Sequence, residues 1–206
     1  LKIEFIQMVI PTFTATKEQV LYAQNTVQNS LNLGFKDNFA GKQTDKKSIE
    51  LMRFRGFLGE VLFASAYGLP TPKNCYGLNG QDFGSDFVIN GKNIDVKTVG
   101  LINCPKFCDK VNYTLPLSMI NAPNKLTDYY FFIALVGSDT DYKAYFIGSL
   151  ASATIKQGSI GTIYKAGQMF RHGKIEAELK SDCLKFNISQ INEVKHPDKL
   201  SGMPFF

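Results

Sequence analysis

The sequence predicts a mixed α/β fold of the α+β kind. Three observations carry this expectation. Two helical patterns fill the first third of the chain. An Asn-Gly pair, Asn90–Gly91, sits between two β-prone runs. Strand patterns dominate the second half, around the nearly continuous apolar run "DYYFFIALVG" at 128–137. Helices first and strands afterwards suit a sheet with helices laid against it.

The first helix starts at Thr16 and Gln19, which have capping-box spacing, and Gly34 is placed to end it in a left-handed turn. Val20, Val27 and Leu31 fall near one face. A basic polar loop, "KDNFAGKQTDKK", follows. The second helix runs from about Lys46 to Tyr67, with Asp45 as its N-cap. Leu51, Phe54, Leu58, Val61, Leu62 and Ser65 form one stripe. Arg53, Gly56, Phe57, Glu60, Phe63, Ala64 and Tyr67 form another. A helix apolar over so much of its girth is buried on more than one side, and a carboxylate such as Glu60 in that setting needs a cation or strong donors.

Asn-Gly between β-prone runs predicts a two-residue type I′ hairpin within "SDFVINGKNIDVKT", residues 85–98. The pairs are then Ile89 with Lys92, Val88 with Asn93, Phe87 with Ile94, and Asp86 with Asp95. Alternation puts Phe87, Ile89, Ile94 and Val96 on one face and Asp86, Val88, Asn93, Asp95 and Lys97 on the other. Two carboxylates opposite each other, with Cβ atoms roughly 5 Å apart, repel unless something positive lies between them. Lys97 is one such partner. A divalent cation is another, because hard oxygen ligands suit Mg²⁺. Further on, "VNYTLPL" reads as a short strand, "DYYFFIALVG" as a strand buried on both faces, "DYKAYFIGSL" as its neighbour and "CLKFNIS" as a last strand. Residues 151 to 181 read as loops with short strands.

Composition narrows the chemistry. The chain has 206 residues, 44% of them hydrophobic, which is one domain's worth of sequence with material for a core. A net charge of +5 permits a polyanionic partner without demanding one. Only two histidines occur, so triads built on His have few ways to form. The four cysteines, Cys75, Cys104, Cys108 and Cys183, lack zinc-site spacing and read as reduced thiols. No run of 18 apolar residues is present, and the opening residues make a poor signal peptide. The expectation is a protein with no membrane span.

Taken in order, these motifs resemble those of the PD-(D/E)xK nuclease superfamily. "RGFLGEVLFASAYG" resembles its first-helix Glu motif. "SDFVINGKNIDVKT" resembles its Asp, short turn and (D/E)-x-K motif, with Ser85 standing where the naming Pro would be. The later strands resemble its core strands. The resemblance implies a restriction-endonuclease-like mixed central sheet flanked by helices. It would form a single domain over 1–206, with a catalytic core at about 45–150 and additional strands and loops at 151–206. It implies a metal-dependent endonuclease that hydrolyses DNA phosphodiester bonds, in a bacterial or phage-encoded cytoplasmic setting. Its metal ligands would be Asp86, Asp95, the Val96 carbonyl and Glu60, with Mg²⁺ as cofactor and Mn²⁺ as substitute. Lys97 would orient or activate the attacking water. A two-fold homodimer suits cutting of two strands.

Basic residues offered for substrate contact are Arg53 and Arg55 on or beside the Glu60 helix, Lys106 after the hairpin, and Lys165, Arg171 and Lys174 in the irregular region. Two other readings stay open. One is a junction-resolving or structure-selective nuclease of the same fold. The other is a nucleic-acid-binding module without turnover.

Overall fold

The computed structural model describes residues 10–32, 46–73, 85–102, 112–123, 125–172, 175–179 and 181–191. Strand β1 (Thr12–Thr14) leads into helix α1 (Lys17–Asn32). The expected capping box forms: the Thr16 amide donates to Gln19 Oε1 at 2.8 Å, and the Gln19 amide donates to Thr16 Oγ1 at 3.2 Å. Gly34, assigned to the helix end, lies outside the described residues. Helix α2 (Lys46–Ala66) then packs against both α1 and the sheet, which accounts for its broad apolar girth. Its outer side differs from the expected stripe. Leu51 is 40% exposed and Ser65 is also exposed. Arg53 runs the other way and is buried.

The central sheet contains β2 (Phe87–Ile89), β3 (Lys92–Leu101), β5 (Tyr129–Ser138) and β6 (Asp141–Ala151) as well as β1, in the order β1-β6-β5-β3-β2. The β3–β5 pair is parallel and the other pairs are antiparallel, so the sheet is mixed. A second, antiparallel sheet is built from β4 (Asn112–Pro116), β10 (Cys183–Asn187) and β7 (Thr162–Tyr164), in the order β4-β10-β7. Short helices α3 (Leu117–Ile120) and α4 (Ser152–Lys156) follow β4 and β6. A separate hairpin joins β8 (Met169–His172) to β9 (Ile175–Glu178).

Strand β5 divides two cores by simple alternation. Phe131, Ile133 and Leu135 pack with Phe57, Leu58, Leu62 and Phe63 of the helices and with Ile94 and Val96 of β3. Tyr130, Phe132 and Ala134 pack on the other face with Tyr113, Leu115, Leu184 and Phe186 of the second sheet. The apolar run is continuous because both faces of β5 are covered. The fold is therefore mixed α/β, with α1 and α2 on one face of the central sheet and the smaller sheet, with α3 and α4, on the other. No helix among the described residues is long and apolar enough to cross a membrane.

Candidate functional site

The hairpin forms in the predicted register. Asn90 and Gly91 take positive φ of 51° and 75°, as a type I′ turn needs. The pairs are Ile89–Lys92, Val88–Asn93 and Phe87–Ile94. Phe87, Ile89, Ile94 and Val96 face the helices, and Val88 on the other face is 65% exposed.

The ladder ends one pair earlier than expected, and this alters the position of Asp86. Its amide donates to the Ile94 carbonyl at 2.8 Å. Its Oδ2 accepts the Val96 amide at 2.6 Å. A side-chain carboxylate thus takes the place on the edge of β3 that a strand carbonyl would hold. Within an extended strand the amide and carbonyl of one residue point the same way, so the Val96 carbonyl also turns to this edge. The simple opposed pair of aspartates is replaced by two carboxylates with different partners.

Asp95 projects from the opposite face of β3 to Val96 and is 1% exposed. Lys97 Nζ lies 2.5 Å from its Oδ1 as a close ion pair. Lys125 Nζ donates to its Oδ2 at 2.6 Å. The side chains of Lys97 and Lys125 are 22% and 8% exposed, so this is a largely desolvated carboxylate held between two ammonium groups. Such a charge persists in the interior only when paired in this way. Tyr130 lies beside Asp95 in the parallel β3–β5 register. Lys125 Nζ sits 5.6 Å from the centre of its ring. Burial pushes the Tyr130 phenol up to about 12, and the Asp95 charge adds to this; Lys97, Thr127 and Ser152 pull the other way.

Glu60 is half-buried on α2. It follows Gly59, which rests directly on Thr98: a Cβ at Gly59 would collide with Thr98 Oγ1. The helix therefore crosses β3 beyond the end of its pairing with β2. Among the described residues no three His, Cys, Asp or Glu side chains gather into a metal-ligating group. The structure brings Asp95 onto Lys97, and Asp86 onto the residue between them. Asp86, Asp95 and the Val96 carbonyl offer the hard oxygen donors that suit a small dication, but both oxygens of Asp95 carry an ammonium group. The donor types fit a divalent ion on the condition that one ammonium gives way.

The proposed substrate contacts fare differently. Arg53 is 6% exposed, which removes it from the surface at which it was offered. The Arg55 guanidinium lies over Gly100, where any Cβ would strike it. Lys165 pairs with Asp182 Oδ2 at 2.8 Å, and Asp182 Oδ1 accepts the Ala166 amide at 2.9 Å. The Lys165 hydrogen bond, and then the Ala166 amide, hold the Asp182 carboxyl below its usual range. Arg171 lies on β8. Lys106 and Lys174 lie outside the described residues, as do Cys75, Cys104 and Cys108. Cys183 is buried, and burial raises its thiol.

Sequence reasoning missed Lys125 and Asp128. Asp128 ties the hairpin to the start of β5: its Oδ2 accepts the Asn93 amide at 2.9 Å, and Lys92 Nζ lies 3.9 Å from its Oδ1. An open cavity of about 310 Å³ lies at this end of the sheet, lined by Lys92, Thr127, Asp128, Tyr129, Ser152 and Lys156 among others. No sequence signal marked Lys125. It lies thirty residues beyond Asp95 and reaches it only through the parallel pairing of β3 with β5.

No protein-family model, curated protein or solved structure matches the chain.

Proposed function

We propose that the chain is a divalent-metal-dependent endonuclease that hydrolyses DNA phosphodiester bonds on a restriction-endonuclease-like core. One observation carries the reading. Asp95 and Lys97 meet on one face of β3, and the Asp86 carboxylate grips the amide of Val96 between them. In this reading Asp86, Asp95 and the Val96 carbonyl would hold the ion, with Glu60 contributing from α2 directly or through water. Mg²⁺ is the proposed ion and Mn²⁺ its substitute. When bound, the ion would supply activated water and neutralise charge at the phosphorus. Lys97, held against Asp95, orients the attacking water and offsets charge that develops on the phosphate oxygens. Arg171, Lys106 and Lys174 stand as backbone contacts. Arg55, whose guanidinium lies over Gly100, stands with them, and a two-fold dimer would place two such sites on the two strands.

A binding module without turnover draws on a different observation: both oxygens of Asp95 already have ammonium partners. One experiment separates these readings. The protein is incubated with supercoiled plasmid, single-stranded DNA and a four-way junction, with Mg²⁺ and with Mn²⁺. Metal-dependent cleavage of duplex supports the endonuclease, and preference for the junction moves the proposal to a resolvase. Binding without cleavage of any substrate leaves the module.

A further inference from the structure

We infer that Lys125 competes with a divalent ion for Asp95, so that it sets the metal affinity of the site and links metal uptake to DNA binding. The inference rests on the metal-dependent reading above. Asp95 is 1% exposed, so bulk water does not supply its countercharge. Oδ1 meets Lys97 and Oδ2 meets Lys125. A cation arriving at Asp95 takes one oxygen from one of these amines. Lys97 belongs to β3 and to the same face as Asp95, so the ladder that places the carboxylate also places Lys97. Lys125 stands instead in the segment between α3 and β5, outside any ladder, where its amide donates to the Ala122 carbonyl at 3.0 Å. Of the two amines, Lys125 is the one whose backbone is free of the sheet.

An ammonium displaced from Asp95 keeps, among the described residues, the face of Tyr130 at 5.6 Å as an attractive surface. With a side chain 8% exposed, it is stabilised by a new anion close by. The DNA phosphate that the site would cut is such an anion. Metal and DNA then favour each other's binding reciprocally, because each relieves the charge left by the other.

The test titrates Ca²⁺ by calorimetry into the wild-type chain, Lys125→Met and Lys125→Arg, each alone and with a short DNA duplex. Without DNA, Lys125→Met binds Ca²⁺ on the order of tenfold more tightly than wild type, and Lys125→Arg stays near the wild-type value. Duplex raises the wild-type Ca²⁺ affinity by roughly 5- to 150-fold, the usual span of coupling between two ligands, and leaves Lys125→Met little changed. Equal or weaker Ca²⁺ binding by Lys125→Met overturns the competition and leaves the nuclease reading standing. Absence of Ca²⁺ binding in wild type and Lys125→Met alike, with or without DNA, overturns both. Lys125→Gln repeats the measurement with a polar side chain if the Met variant fails to fold.

Discussion

The Asp86 carboxylate accepts the Val96 amide at 2.6 Å and so completes the edge of β3 where β2 has ended. Asp86→Ala leaves that strand amide without its acceptor, at a cost of about 1–3 kcal/mol in urea unfolding. Asp86→Asn keeps an oxygen at the same place and loses less. A loss in Asp86→Ala no greater than in Asp86→Asn would show that the hydrogen bond contributes nothing to the fold.

Asp95 balances two amines. Asp95→Ala leaves Lys97 and Lys125 largely buried without their carboxylate, and the expected loss is about 3–5 kcal/mol. Adding Lys125→Met to Asp95→Ala removes one of the stranded charges and recovers part of that loss. A double-mutant cycle read by chemical denaturation measures the coupling. Strict additivity would contradict the ion pair.

Two glycines of α2 predict opposite outcomes for the same change. Gly56 has open space around it, so Gly56→Ala stabilises the helix by about 0.5–1 kcal/mol. Gly59→Ala drives a Cβ into Thr98 and destabilises by about 1–3 kcal/mol. Adding Thr98→Ala to Gly59→Ala restores part of the loss. Thermal unfolding of these three variants beside wild type checks the helix–strand contact that places Glu60.

Alkaline pH acts on the buried phenols. Tyr130 holds its proton up to about 12, mainly through burial and then through the Asp95 charge. Tyr67 and Tyr113 are also pushed up by burial. The folded chain therefore keeps protons that the unfolded chain gives up near pH 10. Stability from these groups is complete below about pH 10 and is lost as pH rises toward 12. Tyr130 alone contributes up to about 3 kcal/mol of that loss. Denaturation midpoints measured across this range fall steeply for wild type and less steeply for Tyr130→Phe.

Local signals in the chain were legible where one short stretch decides the geometry. Asn90–Gly91 set the hairpin register, Thr16 and Gln19 set the helix start, and the 128–137 run implied a strand covered on both faces. The site was legible only within the hairpin. Asp95 and Lys97 share a face because strand alternation puts them there. Asp86 was expected opposite Asp95 and instead turns to Val96, because a two-residue turn fixes the pairs near it and says nothing of where the ladder stops. Lys125 reaches Asp95 through a parallel pairing across thirty residues of chain, and no local pattern encodes that choice of partner. Arg53 shares with Glu60 a stripe of α2 that the broad apolar girth already marked as covered, yet its basic head was read as a phosphate contact, and it is buried instead.

The most direct measurement is nicking of supercoiled plasmid across a range of Mg²⁺ concentration by wild type, Lys97→Met and Asp95→Asn, each confirmed as folded by circular dichroism. The wild-type chain is expected to nick in a Mg²⁺-dependent way, with a fall of about 10²-fold or more in both variants. Nicking that survives either substitution, or DNA bound without cleavage at any Mg²⁺ or Mn²⁺ concentration, would contradict this expectation.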